Sequence, residues 1–214
     1  MKFSLFHRFF YSFAWVFFLT CFKLWFSVRY RHWRRMPKAG AVLVVANHES
    51  FLDPPLVGVG VRRMCHYMAR DTLFSSKSLT RRFCSWYMAR LNAFPVRMEG
   101  SGLEGVKQTL KLLKAGEPVV IFPEGTRSEG ELLPFRTGFV SVAKRGKAAL
   151  LPCGIYGARA AMPRGAKFPK MGRITVAYGE VIPAEDVQRM SEEELVALVE
   201  GKVRELITEA RESL

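Results

Sequence analysis

The sequence predicts an α/β fold, with a mixed or mostly parallel central sheet flanked by helices and an N-terminal hydrophobic helical segment that binds a membrane. Three observations lead there. Short apolar runs alternate with amphipathic stretches from Ala41 to the C-terminal end, the order that builds a sheet covered by helices. Two of those runs, residues 41–45 and 118–122, each stop at a compact polar cluster, as strands do when ligands bind beyond their carboxyl ends. The start of the chain is set apart by an apolar, aromatic stretch bracketed by cations. The expected division of the 214 residues is therefore a membrane-binding segment, 1–36, and one globular domain, 37–214.

In chain order, residues 9–28 are apolar or aromatic apart from Ser, Thr and Lys23, with Lys2 and Arg8 before them and Arg29, Arg31, Arg34, Arg35 and Lys38 after. The length approaches the roughly 20 residues of a spanning helix, while Lys23 and the aromatic side chains suit a helix lying in the interface. No small-residue cleavage site follows, which argues against a cleaved signal peptide. The clustered cations favour a membrane over burial in the core, and put the bulk of the protein on the cytoplasmic face of the cell membrane, near anionic headgroups.

Residues 41–45 read as a buried strand, and Pro54 suits the first turn of a helix running through Leu56 and Val57. A strand over 64–69 and a helix over 79–90 follow. Asn92 and Pro95 mark 92–97 as a loop or edge segment. Ser101 and Glu104 form a capping box for a helix with Leu103, Val106, Leu110 and Leu113 on one face, ended near Gly116. Residues 118–122 form a strand, 137–145 a helix, and 149–155 and 173–178 two more strands joined through a cationic loop, 158–170. A second capping box, Ser191 to Glu194, opens a terminal helix with Leu195, Val199, Val203, Leu206 and Ile207 aligned.

Hydrophobic residues make up 49% of the chain, enough for one proper core. A net charge of +14 implies an anionic partner: nucleic acid, a membrane surface or a phosphorylated substrate. Because no Asp or Glu precedes Glu49, the excess is concentrated at the amino end. No helix-turn-helix, zinc-finger or aromatic RNA-binding pattern is present, which argues against nucleic acid. Cys21, Cys65, Cys84 and Cys153 are scattered without a CxxC pair, indicating free thiols in a reducing compartment, with neither a zinc site nor a disulfide framework.

Chemistry concentrates at Asn47-His48-Glu49-Ser50-Phe51-Leu52-Asp53. An unperturbed imidazole titrates at about 6.5, so His48 can take a proton from a hydroxyl if a carboxylate fixes its tautomer and steadies the imidazolium. Asp53 is the candidate. Residues five apart on an α-helix point about 140° from one another, so the two meet only across a turn. Pro54 pushes Asp53 out of the helical region. The residues alone leave two readings open: a poised His–Asp pair, or a satisfied histidine at a strand end with Asp53 as a helix N-cap. His66, among alternating strand residues, reads as structural. The second cluster, Pro123-Glu124-Gly125-Thr126-Arg127-Ser128, also has two readings. Gly125 permits a close backbone approach, Arg127 offers a fork of donors for phosphate, and Thr126 and Ser128 add hydroxyls. Alternatively the segment is a β-turn with a surface Glu–Arg pair, which contributes little.

Together these two clusters resemble the two signature blocks of the glycerolipid acyltransferase family, in its 1-acylglycerol-3-phosphate acyltransferase branch. The resemblance is carried by a His and an Asp separated by four residues, a Ser two after the His, and the complete Phe122-Pro123-Glu124-Gly125-Thr126-Arg127 run. Phe94-Pro95-Val96-Arg97 is similar to the intermediate block and Leu151-Pro152-Cys153-Gly154-Ile155 to the last. Asn92 departs from the pattern, which more often has Gly there. The resemblance covers residues 37–179, and the hydrophobic amino end resembles the family's membrane-binding helices. It implies a single acyltransferase domain that moves a fatty acyl group from acyl-CoA or acyl carrier protein to the sn-2 hydroxyl of lysophosphatidic acid. His48 is then the general base and Asp53 its partner. Asn47, Ser50, Glu124, Gly125 and Thr126 bind substrate, and Arg127 and Arg97 hold the acceptor's phosphate. Backbone N–H groups of the 47–50 turn are expected to face the oxyanion. No protein nucleophile is needed, in keeping with the lack of a GxSxG elbow, and no metal or cofactor is implied. Two alternatives are the same chemistry on another lysolipid acceptor, and a basic membrane protein that binds anionic lipid without turnover.

Overall fold

A computed structural model describes residues 5–61, 63–71, 92–96, 103–166 and 168–214. Within them one seven-stranded sheet comprises β1 (Arg29–Arg31), β2 (Val42–Ala46), β3 (His66–Arg70), β4 (Ala93–Val96), β5 (Val119–Ile121), β6 (Ala149–Tyr156) and β7 (Thr175–Tyr178), ordered β1-β7-β6-β2-β5-β3-β4. Neighbours run parallel except for β6 and β7. The sheet is therefore mostly parallel. The helices are α1 (Leu5–Phe26), α2 (Asp53–Val61), α3 (Leu103–Lys114), α4 (Gly138–Gly146), α5 (Ala158–Ala161), α6 (Ala184–Arg189) and α7 (Glu192–Glu212).

Alternation along β2 divides the core. Val42, Val44 and Ala46 face a cluster that includes Phe22 and Phe26 of α1 and Leu56 and Val57 of α2. Leu43 and Val45 face the other side, against Leu110 and Leu113 of α3, Phe139 of α4 and Leu195 and Val199 of α7. Helices thus cover both faces, which is why this strand reads as a continuous apolar run. In α7, Ser191 Oγ accepts a bond from the Glu194 N–H at 3.2 Å while the Glu194 carboxylate accepts one from the Ser191 N–H at 2.8 Å, the reciprocal cap that the sequence predicts. The helix packs so tightly on β6 that a Cβ at Gly154 would lie 2.6 Å from the Leu206 carbonyl carbon.

Asn92 precedes edge strand β4 with φ of 63°, a left-handed conformation that Asn adopts more readily than other non-glycine residues. The departure from glycine thus keeps the glycine-like geometry. The helix expected over 79–90, Arg97 and Ser101 of the first capping box lie outside the described residues.

The amino-terminal segment differs from expectation, because one face of α1 is core. Phe22 and Phe26 are buried, and Trp15 Nε1 donates to the Val59 carbonyl at 2.9 Å. Phe13, Val16, Phe17 and Leu24 are exposed on the face turned away from the core, and Trp25 is exposed at its edge. No helix among the described residues is long and apolar enough to cross a membrane. Part of the cationic flank is also used inside the fold: residues 29–31 form an edge strand beside β7, and Arg31 Nε donates to Glu209 of α7 at 2.7 Å.

The register sets the site. Val45 lies opposite Ile121, so β2 and β5 end almost level and the polar clusters after them emerge side by side, while β6 continues past Cys153, the partner of Ala46, to Tyr156.

Candidate active site

The turn after β2 is fastened from several directions. Asn47 is buried, and its side chain clamps the backbone of Ile155, donating from Nδ2 to the carbonyl at 2.9 Å and accepting the N–H on Oδ1 at 2.7 Å. Ser50 Oγ donates to the Met162 carbonyl at 2.9 Å and accepts the Leu52 N–H at 3.3 Å. Both side chains are thereby engaged by backbone groups, and they fix the loop behind His48.

Asp53 closes the turn. Its Oδ2 accepts three bonds, each at 2.7 Å, from His48 Nδ1 and from the N–H groups of Glu49 and Ser50. These bonds run backward to the turn and not forward to the N–H groups of α2, so Asp53 is not the helix N-cap. Nor is it extended: α2 begins at Asp53 itself. The three bonds offset the cost of placing a residue before proline in the helical region. Burial raises the Asp53 pKa, opposed first by the His48 hydrogen bond and charge and then by the two backbone donors. A carboxylate only accepts, so Nδ1 carries a proton, and in the neutral ring the lone pair lies on Nε2. The imidazole stacks on Phe122 at a centroid distance of 4.3 Å, and His48 lines a cavity of about 770 Å³.

The turn after β5 completes the site. Gly125, at φ of 71°, donates its N–H to the Phe122 carbonyl at 3.1 Å. Glu124 is buried between the two turns, with Oε1 accepting the His48 N–H at 2.6 Å and Oε2 the Leu133 N–H at 2.9 Å. Burial raises its pKa, and those two donors oppose the rise. The Ser128 N–H donates to the His48 carbonyl at 2.7 Å. Gly125, Thr126 and Arg127 line the cavity, and the Arg127 guanidinium lies 3.8 Å from the Phe51 ring centroid. The two clusters therefore form one site. The turn's amides are differently used from the sequence expectation: the N–H groups of His48, Glu49 and Ser50 bind the carboxylates of Glu124 and Asp53 instead of facing an oxyanion.

Sequence reasoning missed several participants. Tyr11, Trp15 and Phe18 bring α1 into the cavity wall, and Arg136 and Arg164 bring two more cations. Glu49 accepts the Arg159 N–H at 3.1 Å, and burial with the nearby Asp53 charge pushes its pKa up to about 7. The Phe-rich character of α1 and the cationic stretch 158–170 were the available signals; neither gives a position. Burial pushes the Cys65 thiol up to about 12 and also raises that of Cys153, so neither supplies a thiolate at neutral pH.

Known proteins share this chain's sequence and fold. A family model described as Acyltransferase matches residues 27–156. The chain is 32% identical over 176 residues to a 1-acyl-sn-glycerol-3-phosphate acyltransferase of Bacillus subtilis (strain 168), covering 80% of this chain and 83% of that protein. It is 32% identical over 127 residues to a chloroplastic 1-acyl-sn-glycerol-3-phosphate acyltransferase of Arabidopsis thaliana, covering 58% of this chain and 34% of that protein. The crystal structure of the 1-acyl-sn-glycerophosphate acyltransferase PlsC from Thermotoga maritima superposes with a TM-score of 0.75 at 26% identity, covering 96% of this chain and 78% of that one. With a His–Asp pair at the carboxyl edge of a matching sheet, the chain belongs to the acyltransferase family and is an enzyme of it.

Proposed function

We propose that the protein transfers a fatty acyl group from a thioester, acyl-CoA or acyl carrier protein, to the sn-2 hydroxyl of lysophosphatidic acid, giving phosphatidic acid. The observation that carries this reading is the 2.7 Å bond between His48 Nδ1 and Asp53 Oδ2 on the wall of a large cavity that also presents Arg127. His48 Nε2 takes the hydroxyl proton as the acceptor oxygen attacks the thioester carbonyl. The tetrahedral intermediate then collapses with loss of the thiolate, which takes the proton from the imidazolium. Throughout, Asp53 holds the ring orientation and offsets its positive charge. Arg127 grips the acceptor's phosphate, one carbon along the glycerol from the reacting hydroxyl. The apolar remainder of the cavity takes acyl chain. Asn47, Ser50 and Glu124 act by positioning the His48 turn.

The exposed apolar face of α1, with the cations that follow it, supports attachment to an anionic membrane surface on the cytoplasmic side. Both substrates' chains then enter the cavity without crossing water. The test is thiol release and product mass from the purified enzyme supplied with acyl-CoA or acyl carrier protein and a panel of lysolipids. Lysophosphatidic acid is expected to be the preferred acceptor. Turnover confined to lysolipids without a terminal phosphate would defeat the assignment.

A further inference from the structure

The cavity carries more positive charge than one substrate accounts for. Arg127, Arg136 and Arg164 all line it, and among the described residues no carboxylate does. Arg127 is set apart by position. It is half-buried and rests on Phe51, a residue of the His48 turn. Arg136 and Arg164 are exposed. Arg136 lies against Gly125, where a Cβ would stand 3.0 Å from its Cζ, and its guanidinium makes no hydrogen bond or ion pair among the described residues. Arg164 pairs with Glu129 at 3.9 Å, between two side chains that are 65% and 76% exposed, a pair that water weakens. Two such cations on the wall of a cavity that no described carboxylate lines make its potential positive, which favours an entering anion.

We infer that Arg136 and Arg164 form a second anion subsite at the cavity rim, which takes the phosphate at the end of the acyl donor's pantetheine arm. This rests on the acyl-transfer reading above. Substrate chemistry distributes the arginines. In the acceptor the phosphate and the reacting hydroxyl sit on adjacent carbons, so that phosphate must bind close to His48, where Arg127 is held by Phe51. In the donor the whole pantetheine arm separates the thioester from its phosphate, so that phosphate reaches the exposed rim. The same phosphate occurs in CoA and in the prosthetic arm of acyl carrier protein.

The test compares wild type with Arg136→Gln, Arg164→Gln and the double variant. Kinetics are measured with acyl-CoA, with acyl carrier protein, and with an acyl-N-acetylcysteamine thioester, which lacks phosphate. The double variant is expected to raise KM for the phosphorylated donors about tenfold or more, leaving KM for lysophosphatidic acid and for the phosphate-free donor within about twofold. A rise with acyl-CoA alone, or with acyl carrier protein alone, supports the subsite and identifies its source. A rise in KM for lysophosphatidic acid alone, an equal rise with the phosphate-free donor, or no change overturns it. Equilibrium binding of CoA provides a second readout that needs no turnover: its affinity should fall about tenfold in the double variant, and unchanged affinity for CoA together with unchanged KM for acyl carrier protein overturns the inference. A wild-type enzyme that releases no thiol from any donor would defeat the acyl-transfer reading, with CoA binding then deciding the subsite separately.

Discussion

The two turns that meet at the cavity are built in opposite ways. After β2, the polar groups point inward: Asn47 to Ile155, the amides of Glu49 and Ser50 to Asp53, the amide of His48 to Glu124. After β5, the turn binds inward through Glu124 but carries Thr126 and Arg127 to the cavity. The first arrangement holds one imidazole in orientation; the second presents a cation to the cavity, the group assigned above to the acceptor's phosphate. Catalysis requires the former and affinity the latter, so substitutions in the two turns should separate in kcat and KM.

The largest effect is expected at the center of the inward-pointing turn. Asp53→Asn removes the carboxylate that fixes the tautomer, and kcat should fall on the order of 10³–10⁴-fold with little change in KM for lysophosphatidic acid. A comparable rise in KM would erase the distinction between the turns. Glu124→Gln is next. An amide cannot accept both N–H groups, so the link between turns loosens, and kcat should fall up to about 100-fold with a loss of roughly 2 kcal/mol in unfolding free energy. Denaturant titration alongside kinetics checks both. For the gripping turn, Arg127→Ala should raise KM for lysophosphatidic acid about 10–100-fold while kcat at saturation stays within a few-fold. Unchanged KM would remove Arg127 from the phosphate site.

The smallest effect lies beside the pair. The Glu49 pKa is raised from 4.5 to about 7, so the folded protein binds this proton more readily than the unfolded chain. That stabilising contribution is complete below about 4.5 and is lost as pH rises through about 7. Glu49→Gln removes the titration. Its stability relative to wild type should improve by about 1–2 kcal/mol between pH 5 and pH 8, read by thermal unfolding. A difference that does not vary with pH would show that Glu49 stays ionised throughout.

Much of this was legible from local pattern. The strands and their polar exits, the capping box at Ser191 and the edge segment at Asn92 depend on neighbours a few residues away, and each is found where the pattern puts it. What escaped depends on distant partners. Nothing beside Asn47 announces Ile155, 108 residues away, nor does anything beside His48 announce the Glu124 carboxylate on its amide. Residues 29–31 read as a cationic flank because three residues with alternating arginines look alike whether they face lipid or pair with β7. The stretch 9–28 reads as apolar nearly throughout, so the buried and exposed faces of α1 are not separable without the contact that Phe22 and Phe26 make with the sheet. The Asp53 conformation went against the usual bias before proline because three hydrogen bonds outweigh it.

The most direct test of the site is the rate of thiol release by His48→Ala, measured at saturating acyl-CoA and lysophosphatidic acid, with thermal unfolding of the same sample to verify the fold. The imidazole as general base requires a loss on the order of 10³-fold or more in a protein that melts like wild type. A folded His48→Ala enzyme working within about tenfold of the wild-type rate would contradict it.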